Sequence, residues 1–223
     1  MSLNEVMNEL IMMQQLSEHP AIITIKEFFT EGGADYDRIA PTPALGAELL
    51  EEDGIVHVVM ELLEGQELVD AITDVGAYDE GQSQVVMSNM LDAIAFMHAR
   101  GVVHRDLKLE NLCLAKPDDL DSVTLLDFGL AKALTAREKE ENVCGTLAYV
   151  APEALVAGVY GQGVDVWALG VAMHVLLTGA WPFDDDDEDE LIDQIVECDL
   201  NFDCGEEWEC ISSQAKDLLR GLL

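Results

Sequence analysis

The sequence predicts an α+β fold, with a few strands first and mostly helix after them. Three observations predict it. Residues 22–29 and 55–60 are apolar runs rich in Ile and Val, the composition of strands, and both lie near the start. Residues 81–98 carry apolar side chains at 86, 90, 94 and 97, a helical spacing. Residues 164–177 are so apolar that they read as a helix buried at the centre of the molecule.

In chain order, Leu3, Val6, Met7, Leu10, Met13 and Leu16 fall at helical spacing, with Ser2 or Asn4 available as a cap. His19-Pro20 ends that helix, because the residue before a proline disfavours the helical region. A strand over 22–29 follows. Residues 30–54 are rich in Gly, Pro and acids and read as a loop insertion. The second strand is 55–60. The helix over 81–98 stops near Gly101. The short apolar runs 112–114 and 123–126 flank the turn Lys116-Pro117-Asp118-Asp119 and predict a hairpin. Residues 133–150 read as polar and irregular. After the central helix, the acidic run 184–190 leads into a helix near 191–196, since acids suit a helix N-terminus. Residues 212–222 form a last amphipathic helix. No internal repeat occurs.

A chain of 223 residues can bury the core of one good-sized domain or two small lobes. Its charge is lopsided: 45 acidic residues against 11 basic ones, a net charge of −34. Such a surface repels nucleic acid and anionic membranes and attracts basic peptides. The five cysteines form no C-x-x-C pair, and the nearby histidines complete no zinc spacing. Scattered thiols of odd number, with no signal peptide at the N-terminus, predict a cytoplasmic or nuclear protein rather than a secreted one. The longest apolar stretch is interrupted by Asp165 and His174, so no membrane span is expected. The acidic run lacks the central Gly and final Glu of a calcium loop.

Three segments carry the chemistry. They are His104-Arg105-Asp106-Leu107-Lys108-Leu109-Glu110-Asn111, then Asp127-Phe128-Gly129, then Ala151-Pro152-Glu153 preceded by Gly145-Thr146. Each tripeptide alone is weak; the eight-residue pattern is specific, and the order and spacing of all three resemble the signature of the eukaryotic-type protein kinases. Lys108 resembles the serine/threonine class, and the whole pattern is most similar to the calmodulin-dependent and cyclic-nucleotide-dependent groups. The resemblance implies a bilobal fold with a partial small lobe over residues 1–63 and a mostly helical large lobe over 64–223. It implies ATP and Mg²⁺ as cofactors and protein substrates as partners, with basic residues near the target Ser or Thr.

The residue types suit that chemistry. Phosphoryl transfer needs positioned cations and a base beside the attacking hydroxyl. Asp106 would accept the hydroxyl proton, Asn111 and Asp127 would offer oxygen ligands to Mg²⁺, and Lys108 would face the migrating phosphoryl group. By the resemblance, Glu9 would pair with an ATP-positioning lysine. Met60 would be the gatekeeper, the backbone of Glu61 and Leu63 would bind adenine, and Leu114 would line the nucleotide site. Glu67 would contact ribose or a substrate arginine, Glu110 would read a second basic residue, and Thr146 would touch both Asp106 and Lys108. Asp165 would hold the catalytic-loop backbone, and His104, Phe128 and Met13 would stack.

The chain departs from that pattern in one respect. No Gly-rich loop and no lysine strand precede Glu9, and Lys26 lies after the helix. The expectation is a chain cut short at both ends, with the arginine partner of Glu153 beyond Leu223. The alternative is a pseudokinase or inactive fragment acting as a binding scaffold. Asn142 stands where relatives carry a phosphorylated threonine, and Glu140 and Glu141 are expected to substitute for the phosphate against Arg105.

Overall fold

The structure is a computed structural model that describes residues 10, 12–31, 37–39, 55–133, 145–202 and 205–223. Glu9, Glu140, Glu141 and Asn142 lie outside the described residues, and so do the expectations attached to them.

A short helix, α1, covers residues 12–16. It buries Met13 and Leu16 in the core, as the helical spacing predicts. Behind it, β1 (Ile25–Glu31) runs at the centre of an antiparallel sheet of order β2-β1-β3, with β2 at Asp37–Ile39 and β3 at Ile55–Met60. The register pairs Phe28 with Val58 on one side and with Ile39 on the other. Two expectations change here. The first strand starts at Ile25 rather than residue 22, because Ile22 makes a parallel bridge to Leu125 instead. The insertion over 30–54 is not all loop, since it contributes the end of β1 and all of β2.

The remainder is mostly helical. Two helices lead it, α2 (Leu68–Val75) and α3 (Glu80–Ala99). The sequence reading omits α2, although Leu68, Ala71 and Ile72 form a buried stripe at helical spacing. A capping box starts α3: the Asp79 side chain accepts from Gln82 N at 2.8 Å, and Gln82 Oε1 accepts from Asp79 N at 3.0 Å. The strand β4 (Val102–Val103) pairs with β7 (Lys132–Ala133). The predicted hairpin is present as β5 (Leu112–Leu114) and β6 (Val123–Leu125).

Four helices follow: α4 (Pro152–Ala157), α5 (Gly163–Thr178), α6 (Glu188–Glu197) and α7 (Ser213–Leu222). Nearly all of α5 is buried, as its composition predicts. A Cβ on Gly170 would stand 2.7 Å from Leu223 Cδ2, so glycine lets α5 and the end of α7 cross closely. Helix α6 begins within the acidic run, where Asp187 Oδ1 accepts from Asp189 N at 3.0 Å. Among the described residues no helix is long and apolar enough to cross a membrane.

Backbone bonds tie the sheet to the helical body. Ile23 N donates to Leu125 O at 3.0 Å and Leu125 N to Ala21 O at 2.9 Å, while Glu61 N to Thr24 O at 3.0 Å extends the pairing of β1 with β3. His19 adds a side-chain link. Its Nδ1 accepts from Ala21 N at 3.2 Å, so Nε2 carries the hydrogen that meets Asp92 on α3, also at 3.2 Å.

His174 lies in α5 against Trp208, with ring centroids 5.3 Å apart, and its Nδ1 bonds Ala180 O at 2.9 Å. Burial holds its pKa below the usual histidine value, offset in part by the Ala180 bond and by Glu207. An unfolded histidine takes up a proton near pH 6.5, so below that pH the unfolded chain binds more protons and stability falls. The contribution is therefore full above about pH 6.5 and is lost as pH falls through the lowered folded value. Urea unfolding measured between pH 7.5 and 5.5 checks this. The native chain should lose more stability on acidification than His174→Gln, and parallel curves would contradict the assignment.

Candidate active site

The catalytic loop follows β4 and is held from below. Asp165, at the start of α5, is 1% exposed. Its Oδ2 accepts from His104 N and its Oδ1 from Arg105 N, both at 2.9 Å. Arg105 is in the left-handed region, with φ +71°. A non-glycine residue there costs about 1–3 kcal/mol and persists only where its surroundings over-determine it. The buried carboxylate supplies that constraint, as the resemblance implied. Arg105 Nε also donates to Leu130 O at 2.6 Å.

His104 is buried against Phe128, ring centroids 5.1 Å apart, and Phe128 shares a core with Met13. Burial lowers the His104 pKa against the opposing pull of Asp165, Asp106 and Asp127. Its Nδ1 accepts from Asp106 N at 3.3 Å. The imidazole therefore packs and orients, and the carboxylate beside it is the group available as base.

The Asp106 carboxylate is gripped on both oxygens. Thr146 N donates to Oδ1 at 3.2 Å, and Lys108 Nζ stands 3.1 Å from Oδ2. Lys108 Nζ also donates to Thr146 Oγ1 at 3.0 Å. Asp106, Lys108 and Thr146 thus form one cluster, although 38 residues separate the last two. Gly145 permits the approach. Its φ is +98°, and a Cβ there would lie 3.0 Å from Arg105 O and 3.4 Å from Asp106 Oδ1. The sequence names Gly145 as part of the third motif but assigns it no role, because only the folded approach reveals its use.

Asn111 joins the cluster by donating Nδ2 to Asp106 O at 2.8 Å, which leaves Oδ1 as an acceptor. Leu126 N donates to Asn111 O at 2.9 Å, so Asp127 follows directly beside the loop. Asp127 Oδ1 accepts from Gly129 N at 2.9 Å. Two oxygen-bearing side chains with remaining lone pairs fit Mg²⁺, which binds through one or two carboxylates plus phosphates and keeps several waters. Among the described residues no group of three or more His, Cys, Asp or Glu that could hold a metal ion occurs.

The remaining expected residues sit around this cluster. Tyr149 OH accepts from Leu109 N at 3.2 Å and faces Glu110 Oε2 at 3.5 Å, which orients an exposed acid beside the loop. Burial pushes the Tyr149 phenol well up. Met60 ends β3 and is 46% exposed. Glu61 Oε1 accepts from Thr24 N at 2.8 Å, and its own N–H is engaged by Thr24, so among the described residues its carbonyl is the backbone group left over. Glu67 is exposed just ahead of α2 and bridges Cys113. Leu114 is placed in β5. It is 2% exposed in the core with Leu112, and strand alternation turns Cys113 to the other face, toward the Gly65 carbonyl. Gly65 is a further residue that the sequence reading missed. A Cβ on it would stand 2.4 Å from Leu114 O, so glycine alone lets the segment after β3 lie against β5.

The family model described as "Protein kinase domain" matches residues 1–223, and the chain belongs to that family. It is 37% identical over 218 residues to the human calcium/calmodulin-dependent protein kinase type 1B, covering 98% of this chain and 57% of that protein. It is 40% identical over 176 residues to the calcium/calmodulin-dependent protein kinase type 1 of Macrobrachium nipponense, covering 79% of this chain and 50% of that protein. The human serine/threonine-protein kinase H1 is 40% identical over 181 residues, covering 79% of this chain and 42% of that protein. The chain spans about half the length of these curated relatives.

Proposed function

We propose that this chain carries the transfer centre of a serine/threonine protein kinase that moves the γ-phosphoryl group of ATP to Ser or Thr hydroxyls of protein substrates. The observation that carries the reading is the Asp106 carboxylate, held between Thr146 N–H and Lys108 Nζ. Asp106 takes the proton of the attacking hydroxyl, and Lys108 keeps a positive charge beside the moving group. Asn111 and Asp127 would hold Mg²⁺, which when bound neutralises charge on the phosphates. The Glu61 carbonyl and the Leu63 backbone offer hydrogen bonds to adenine; among the described residues neither backbone group of Leu63 has a partner.

The exposed carboxylates of Glu67 and Glu110, on a chain of net charge −34, favour substrates with basic residues near the target hydroxyl. The thiols of Cys113, Cys198 and Cys210 are free, which suits the reducing cytoplasm or nucleus.

The test is incubation with ATP, Mg²⁺ and two serine peptides, one with arginines before the serine and one without. Mass spectrometry should find phosphoserine, more of it on the basic peptide. Formation no greater than with Asp106→Asn overturns the kinase reading. If the chain still binds an ATP analogue in that case, it is the binding scaffold instead.

A further inference from the structure

We propose that Trp181 reads the substrate: its exposed indole is the platform on which an arginine of the substrate stacks while Glu110 binds the same guanidinium. The consequence for transfer rests on the kinase reading, whereas the peptide subsite stands without it.

Trp181 lies in the loop between α5 and α6 and is 40% exposed. The residues around it are fixed. Ala180 O accepts from His174 Nδ1 at 2.9 Å, and Ala180 N donates to Thr178 Oγ1 at 3.2 Å. Phe183 is buried and stacks on Trp167, ring centroids 5.8 Å apart. The indole itself meets the Tyr149 ring in a T-shaped contact at 5.3 Å. Trp181 is therefore held in place and still open to solvent, so a partner that covers it immobilises little that was free. Tryptophan and arginine are the side chains that most often dominate recognition energy.

Tyr149 joins this platform to an acid. Its ring touches the indole, and its hydroxyl faces Glu110 Oε2 at 3.5 Å. Among the described residues Glu110 makes no ion pair. A leucine laid on the indole would leave that carboxylate beside an apolar group. A cation suits both, and tryptophan is the best of the aromatic rings for one. A guanidinium is planar, so it stacks flat on the indole and offers its edge to the carboxylate. The ammonium of lysine gains the charge and lacks the stacking plane. The acidic run 184–190 deepens the negative potential next to the platform.

Titration calorimetry of the whole chain with serine peptides tests this. A single Arg, Lys or Leu is placed in turn at each position before the serine. At one position Arg should bind about 10-fold tighter than Leu and several-fold tighter than Lys. In Trp181→Leu the arginine peptide should weaken by about 3–10-fold at that position alone, while the Lys and Leu peptides hardly change. Trp181→Phe, which keeps a ring, should retain most of the advantage, and Glu110→Gln should lose it at the same position. With ATP and Mg²⁺, Trp181→Leu should raise KM for the arginine peptide and leave kcat nearly unchanged. A native chain that prefers Arg at no position overturns the proposal, and that comparison needs no variant. Leu binding as tightly as Arg overturns it too, since the subsite is then apolar. So does equal weakening of all peptides in Trp181→Leu, which marks lost packing against Tyr149. A native chain that shows the arginine preference and transfers no phosphoryl group overturns the kinase reading alone.

Discussion

Replacing Asp106 by Asn is expected to slow phosphoryl transfer by about 10²–10⁴-fold, the range that a positioned general base contributes. The two side chains have the same shape, so the loop should stay where it is. The amide keeps an oxygen for the Thr146 N–H, now 3.2 Å from the carboxylate. It cannot take up a proton at neutral pH. Its NH₂ turns toward Lys108 Nζ, where the carboxylate now lies 3.1 Å away, so an attraction becomes a contact between donors. Lys108 retains its bond to Thr146 Oγ1 at 3.0 Å, which keeps the cation in place. Binding of nucleotide, assigned to Glu61 and Leu63, should be unaffected. Single-turnover transfer to a serine peptide, paired with titration of an ATP analogue, separates the two steps. A fall in rate with unchanged analogue affinity is the expected pair of results. An undiminished rate would mean that another group takes the proton.

Much of this site is legible in the sequence because its residues are short-range neighbours. Asp106, Lys108 and Asn111 lie within six positions, and Asp127 reaches them through the hairpin that the apolar runs predict. The central helix is legible for a different reason: burial on every side leaves it almost wholly apolar, apart from Asp165 and His174. Other features depend on three-dimensional approach and leave no local trace. Gly65 and Gly145 look like ordinary loop glycines until Leu114 O and Arg105 O are seen against them. Leu114 and Cys113 differ in direction by one step of a three-residue strand, and nothing in the run Leu-Cys-Leu says which face meets the core. The strand β2 sits in a stretch rich in Gly, Pro and acids, and its pairing to β1 comes from the partner rather than from its own composition. Helix α2 is an omission that the sequence could have supplied, from the spacing of Leu68, Ala71 and Ile72, and so is α4, with Pro152 at its first turn and Gly158 at its end.

The link between the sheet and the helical body has its own logic. The bonds at Ala21, Ile23 and Leu125 attach the exit of α1 to β6, and Asp127 stands two residues beyond Leu125. His19 holds the same exit to α3 through Asp92, with its ring 5.0 Å from Phe96. The exit of α1 is therefore tied to the segment that would carry Mg²⁺ by backbone bonds rather than by a flexible side chain. That coupling needs none of the exposed ion pairs, which contribute about 0–1 kcal/mol each.

Asp165→Ala is expected to cost about 3–5 kcal/mol of stability, the loss seen when one partner of a buried charged or hydrogen-bonded set is removed. The arithmetic follows from the donors. Removing the carboxylate strips the His104 and Arg105 amides and the His98 ring of an acceptor at one stroke. Water cannot readily replace it, because the position is 1% exposed and lies among the core residues of α5. In a chain of this size each kcal/mol moves Tm by about 2–4 °C, so a drop of roughly 6–20 °C should appear in a melting curve. Asp165→Asn separates shape from charge. It keeps one oxygen for an amide but presents its NH₂ to a second donor, so its loss should be smaller than that of Ala and still clear. Activity should fall in both variants even well below Tm, because Arg105 no longer has a reason to stay left-handed and Asp106 moves with it. A normal melting curve with lost activity would place Asp165 in the chemistry itself. Normal values for both would show that the loop holds its shape without the carboxylate, and the account of Arg105 given above would then be wrong.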